Sequence, residues 1–266
     1  MIWSADVSIE IQKQLESICI NIERNLHMIK IENVVTPSPE QWRATIMGTR
    51  NAMNSWDKSD SVFTEHELED WSHNMVKTFD ELGKNDHSLM MTLRNAGTDH
   101  RKFMRMITVY LDITAPLYWW KEFDTYKVGT VANSCSTMHK IHTKEFTIDD
   151  FSHEHLLEPK DVHFPDDSCC NGTWEGCGVI APIDILEETV HMLNKARKMF
   201  LETNDKKYWW QMIQLLPTSY NQKRTVMLNY EVLANIYKSR KNHKLDEWVE
   251  LCKWIESLPY SEIITG

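Results

Sequence analysis

The residues best placed to do chemistry lie far apart along the chain. Asn229, Asn235 and Arg240 fall in one stretch of helical spacing near the C-terminus. An Arg accompanied by two amides suits a ligand that carries both anionic and neutral polar groups. Asn229 and Arg240 are close to three helical turns apart, so they share a face at a separation of about 16 Å. One small ligand cannot touch both, whereas an extended dinucleotide, or two stacked ligands, can. Upstream, His100 precedes an alternating stretch, and Glu122, Tyr126 and Lys127 follow it. The run from Gly129 to Lys140 is dense in hydroxyl and amide groups, and Asn133, Ser134, Cys135 and Ser136 at its centre suit a loop that holds an oxyanion through side chains and backbone N–H groups. Cys135 with His139 four residues on allows a nucleophile, although a cysteine in a Ser-rich loop is more commonly packed. His153, His155, His163, Cys169, Cys170 and Cys177 lack paired C-x-x-C spacing, so no metal site is expected. Gly-rich phosphate loops of the P-loop and dinucleotide types are absent from the sequence, which removes those nucleotide folds.

Positioning such groups requires strands as well as helices. Ile107, Val109, Leu111 and Ile113 alternate with Thr108, Tyr110, Asp112 and Thr114, the period of a strand with one buried face. Ala115-Pro116 ends it, and a helix follows from Leu117. Helical stripes are expected at Ile11 to Leu26, from Glu65 through Phe79 and Leu82 to a stop near Gly83, and from Pro182 to about Leu201; the last third reads as helical. Pro37-Ser38-Pro39 and the stretch Asn51 to Ser61 read as breaks or surface loop, and residues 144–180 as an inserted surface segment within one domain of residues 1–266.

The chain's 266 residues can bury a sizeable core, and no apolar run is long enough for a membrane span. The first residues lack a basic region followed by an apolar stretch, so a soluble cytoplasmic protein is expected. A formal net charge of −10 argues against nucleic acid or an anionic membrane as partner, so an anionic small ligand needs a local basic pocket. The Trp count of 11 is high, and the pairs Trp119-Trp120 and Trp209-Trp210 read first as core or interface packing, with a stacking platform as the alternative.

Two blocks, taken together, resemble the flavin-dependent thymidylate synthase family. The first is Asp99-His100-Arg101-Lys102-Phe103, the strand, Ala115-Pro116 and Glu122 through His139; the second is Leu216-Pro217 with Asn229, Asn235 and Arg240 after it. The resemblance implies an α+β fold within the broad α/β class, helix-rich, with an antiparallel-rich sheet flanked by long helices. It places His100, Asn229 and Asn235 at flavin-contacting positions and Arg240 beside the nucleotide as the catalytic cation. Glu122 stands where the family has a Gln that helps hold the nucleotide. The family's Arg-His-Arg positions read Thr125-Tyr126-Lys127, which leaves Tyr126 and Lys127 there, and Asn133 to Ser136 fall on its phosphate loop without that loop's Arg. The implied reaction is one-carbon transfer to C5 of a pyrimidine deoxynucleotide such as dUMP. FAD, NADPH and methylenetetrahydrofolate are implied as cofactors, and a homotetramer with shared sites as the assembly. A repurposed nucleotide- or flavin-binding homologue, or a helical structural or interaction protein, stands as the alternative.

Overall fold

Ser38 turns the Pro-Ser-Pro break into a helix start. Its hydroxyl accepts from the Gln41 N–H at 3.3 Å while the Gln41 side chain accepts from the Ser38 N–H at 2.8 Å, and Pro39 supplies a first-turn residue whose missing N–H costs nothing. In this computed structural model, residues 28–67, 75–162 and 181–266 are described. Among the described residues the helices in chain order are α1 (Pro39–Arg50), α2 (Lys84–Asn95), α3 (Leu117–Phe123), α4 (Pro182–Thr203), α5 (Lys206–Leu215), α6 (Tyr230–Arg240), α7 (Asp246–Glu256) and the short α8 (Glu262–Thr265). The strands are β1 (Lys30–Val35), β2 (Val62–Glu67), β3 (Met75–Glu81), β4 (Thr108–Pro116), β5 (Val131–Ser134) and β6 (Asn221–Asn229). The order β1-β4-β6-β5 makes one sheet, with β1 antiparallel to β4 and β5 antiparallel to β6, and β2 and β3 form a separate antiparallel pair. This is the helix-rich α+β architecture with an antiparallel sheet that the family resemblance implies.

Two elements differ from expectation. Where a helix is expected from Glu65 to Leu82, the described residues form the antiparallel strands β2 and β3, in which Phe63 pairs with Phe79 and the two rings stack at 4.9 Å. Val62, Thr64, Val76 and Thr78 are β-branched and suit a pleated surface better than a helix. The last third is not wholly helical, because β6 stands between Leu216-Pro217 and α6. Its Gln222, Val226 and Leu228 are buried while Lys223 and Thr225 face outward, an alternation masked by polar residues on both faces. The expected helix at Ile11 to Leu26 lies outside the described residues.

The chain divides into two compact units. In the unit formed by Ala115–Trp120 and Cys135–Gln222, Ile141, Phe146, Phe151, Leu186, Leu193, Ala196 and Met212 form a core beneath α4 and α5. Asn194 clamps Phe146 at both backbone groups, accepting from its N–H at 2.9 Å and donating to its carbonyl at 2.8 Å. The expected surface segment 144–180 is described as far as residue 162, and there Phe146, Phe151 and Val162 are buried, so this part belongs to a core. Trp119 and Trp120 are fully buried and meet edge to face, which is the packing reading of that pair.

The other unit comprises Ile29–Thr114, Lys121–Ser134 and Lys223–Gly266. Val109, Leu111, Ile113, Val226 and Leu228 bury one sheet face, and Leu233, Ile236, Trp248, Leu251 and Ile255 bury the matching sides of α6 and α7. The opposite sheet face carries a polar network. Asp112 accepts from Thr225 Oγ1 at 2.5 Å, from Asn33 Nδ2 at 2.8 Å and from Lys223 Nζ at 2.9 Å. The Thr225 hydroxyl first, then Asn33 and Lys223, lower the Asp112 carboxyl to about 2. A folded-state value below the unfolded one of about 3.9 means that the contribution is present above the unfolded value and fades as pH falls toward the folded one. An NMR titration of Asp112 is therefore expected to give a midpoint near 2; an ordinary carboxylate midpoint would show that the network does not form in solution.

Candidate functional site

Within the second unit, the end of α3, the turn after it, the C-terminal end of α6 and the start of α7 bring together Glu122, Tyr126, Arg240, His243 and Trp248. Arg240 Nε donates to the Tyr126 hydroxyl at 2.9 Å. Arg240 Nη1 is 2.8 Å from Glu122 Oε2 and 2.8 Å from His243 Nε2. Trp248 Nε1 donates to the same Glu122 oxygen at 2.8 Å. The guanidinium carbon lies 4.7 Å from the centre of the Trp248 ring, and Phe123 stacks on that ring at 6.5 Å. Arg240 is thus held by a carboxylate near the end of α3, a phenol on the turn after it and an indole face at the start of α7.

Asn229 has a different task. It is the N-cap of α6: its Oδ1 accepts from the Val232 N–H at 3.0 Å and its Nδ2 donates to the Gly129 carbonyl at 3.3 Å. Gly129 has φ +74°, and a Cβ there would stand 2.5 Å from Asn229 Nδ2, so both backbone angle and space require glycine. Asn229 is buried, and its Oδ1 and one N–H of its Nδ2 are engaged within the fold. Asn229→Ala is expected to cost about 1 kcal/mol in chemical unfolding, the ordinary value of an N-cap amide; a loss within error would show that water replaces the cap.

Asn235, one turn and a half further on, is exposed, and its Oδ1 accepts from Arg101 Nη2 at 3.1 Å. Arg101 Nε also donates to Glu231 Oε1 at 3.1 Å, and Arg105 pairs with Glu231 Oε2. Burial works to raise the Glu231 carboxyl, but the hydrogen bonds from Arg105 and Arg101 outweigh it and hold the group below the usual glutamate value. His100 is exposed immediately before the 3-10 turn Arg101–Arg105 that packs on α6. His100, Arg101 and Asn235 therefore share one stretch of surface, whereas Arg240 belongs to the cluster at the other end of the helix.

The expected oxyanion loop is in part a strand. Asn133 pairs with Thr225 and Ser134 with Arg224 in β5, and both are exposed. Cys135 and Ser136 fall in the other unit. The Cys135 carbonyl accepts from Gln222 Nε2 at 2.7 Å, and the Ser136 hydroxyl accepts from the His139 N–H at 2.9 Å, which caps a local turn. Lys127 is exposed. Sequence reasoning missed His243 and Trp248. His243 lies three residues beyond Arg240, but an indole that stacks on an arginine and donates to a glutamate 126 residues away leaves no trace in local spacing. Among the described residues, no His, Cys, Asp and Glu cluster could hold a metal ion, and no helix is long and apolar enough to cross a membrane.

Neither a protein-family model nor a curated protein sequence matches the chain. Solved structures do match its fold. Thymidylate synthase X from Helicobacter pylori, in a structure with FAD and dUMP, is 14% identical at a TM-score of 0.54, with 90% of this chain and 99% of that chain covered. A second structure of that enzyme with FAD and dUMP gives 0.53 over 89% and 97% of the two chains, again at 14% identity. A UMP/dUMP methylase, PolB from Streptomyces cacaoi, bound with 5-Br dUMP, gives 0.51 over 89% and 94%, also at 14% identity. The chain has the fold of the flavin-dependent thymidylate synthases.

Proposed function

We propose that this chain binds a pyrimidine deoxynucleotide and belongs to the one-carbon chemistry of the pyrimidine C5 position, as a divergent flavin-dependent thymidylate synthase without the Arg-His-Arg motif. The observation that carries this reading is the fold, shared over about nine-tenths of the chain with two enzymes whose structures hold dUMP or a brominated analogue. Arg240 supports it: a guanidinium stacked on an indole and fixed by a phenol is pre-organised to meet a planar ring or its substituents.

The exposed surface formed by His100, Arg101 and Asn235 suits the polar edge of a flavin. Asn235 uses its carbonyl oxygen toward Arg101, which leaves its two amide N–H groups as donors for a ligand. In an FAD-loaded form His100 and Asn235 would hold the cofactor, and FAD supplies hydride chemistry when bound. Asn229 contributes indirectly by fixing the start of α6, and Glu122, Trp248 and Tyr126 fix the guanidinium at its end. NADPH as reductant, methylenetetrahydrofolate as one-carbon donor and a homotetramer complete the proposal.

The test is a thermal-shift panel on the purified protein with dUMP, dCMP and dAMP, read beside its visible spectrum. Stabilisation by a pyrimidine nucleotide over dAMP, with a flavin absorption that NADPH bleaches, supports the enzyme. Absence of any pyrimidine-dependent shift overturns the reading. The engagement of Arg240 by Glu122, Tyr126 and His243 favours a second reading, nucleotide binding without turnover, and a colourless protein still stabilised by a pyrimidine nucleotide would select it.

A further inference from the structure

Arg240 and Glu122 form a joined donor and acceptor. A guanidinium can only donate and a carboxylate can only accept, and here they touch at 2.8 Å through Nη1 and Oε2. The Trp248 N–H reaches the same oxygen, so both contacts fall on Oε2 and the other carboxylate oxygen, Oε1, keeps its capacity to accept. The Glu122 side chain is 38% exposed and that of Arg240 18%, which leaves the pair accessible from solvent. Its charges cancel, so it is a poor seat for a phosphate dianion, which would meet the carboxylate at the same contact.

What the pair does match is the edge of an aminopyrimidine. Cytosine presents an exocyclic amine that donates, next to a ring nitrogen and a carbonyl oxygen that accept; a glutamate accepts from the amine, and an arginine donates to its neighbours. Uracil offers its single donor, N3–H, between two carbonyl oxygens. A carboxylate that approaches this N–H also meets lone pairs on either side. We propose that Glu122 makes this site select a 4-aminopyrimidine nucleotide, deoxycytidylate, over deoxyuridylate. The proposal rests on the nucleotide reading above and leaves its reacting position untouched, since C5 carries a hydrogen in both bases.

The test is calorimetric titration of the wild-type protein and Glu122→Gln with dCMP and dUMP, with dAMP as control. The wild type is expected to bind dCMP about tenfold or more tightly than dUMP, the discrimination of one good polar pair against the wrong base. Glu122→Gln, whose amide can turn either a donor or an acceptor to the base, is expected to reduce that ratio about tenfold while melting within a few degrees of the wild type. Equal or tighter binding of dUMP by the wild type, or a ratio unchanged in Glu122→Gln, overturns the selection by Glu122 and leaves the nucleotide reading standing. Failure of both pyrimidine nucleotides to bind folded protein overturns the nucleotide reading, and this inference falls with it.

Discussion

Arg240→Ala is expected to weaken pyrimidine nucleotide binding by about 2–4 kcal/mol, roughly 30-fold to 1000-fold, while the protein stays folded. The guanidinium is the cation of the cluster; its removal leaves Glu122 without its charge partner and turns the local charge negative, where a nucleotide needs the opposite. The cost to the fold is expected to be small, about 1 kcal/mol, because Glu122 is solvent-accessible and what the core loses is the arginine stem and its stacking on Trp248. Titration calorimetry measures the first quantity and urea unfolding the second. Binding that survives the substitution intact would place the nucleotide elsewhere. Arg240→Lys is expected to rescue little, since a point charge cannot keep the bond to Tyr126, the contact with Glu122 and the ring stacking at once.

The largest stability effect is expected far from that cluster, at Asp86. Its Oδ1 accepts from Arg50 Nε at 2.7 Å, and its Oδ2 accepts from Ser59 Oγ at 2.8 Å, Ser61 Oγ at 2.6 Å and the Asp60 and Ser61 N–H groups at 3.2 and 3.1 Å. Both members of the ion pair are buried, with side-chain exposures of 5% and 1%. Arg50 also donates to the Lys58 carbonyl at 3.0 Å, so one carboxylate and one guanidinium gather the whole stretch from Ser55 to Ser61 that sequence reading took as surface loop. Asp86→Ala strands a buried guanidinium and several donors, and is expected to cost about 3–5 kcal/mol, read as a lowered urea midpoint. Arg50→Ala added to Asp86→Ala is expected to cost much less than its own single effect, because the pair acts as a unit. Burial pushes the Asp86 carboxyl up, while the Ser61, Ser59 and Arg50 hydrogen bonds more than offset it and hold the group below the ordinary aspartate value. The sign follows: the clamp stabilises the fold above the unfolded-state value, and that contribution is lost as pH falls through the lower folded-state one. A urea midpoint that stays level across that acid range would exclude Asp86 as the responsible group.

Local pattern carried much of the architecture. The alternation of Val109, Leu111 and Ile113 located β4, Pro116 marked its end, and the stripe from Pro182 located α4, because side-chain periodicity and the missing N–H of proline act within a few residues. Pattern failed where the period was short or its contrast weak. The pattern reads β2 and β3 as part of a helix, and β6, whose buried face includes the polar Gln222, does not stand out as a strand. Of the candidate residues, Glu122, Tyr126 and Arg240 do meet, while Asn229 caps a helix, the Cys135 carbonyl accepts from Gln222 and Ser136 caps a local turn.

By itself, then, the sequence determined the elements whose cause is local: the strand before Ala115-Pro116, the helix stripes, and the identity of the polar groups available for chemistry. Only the tertiary structure decided which of those groups are free and which are consumed. The carboxylate of Glu122, the indole of Trp248 and the guanidinium of Arg240 come from separate elements, and their hydrogen bonds form through space at separations that no spacing rule reaches. A charge in the sequence is only a type of residue; whether it meets a ligand or a neighbour depends on what the fold places within about 3 Å of it.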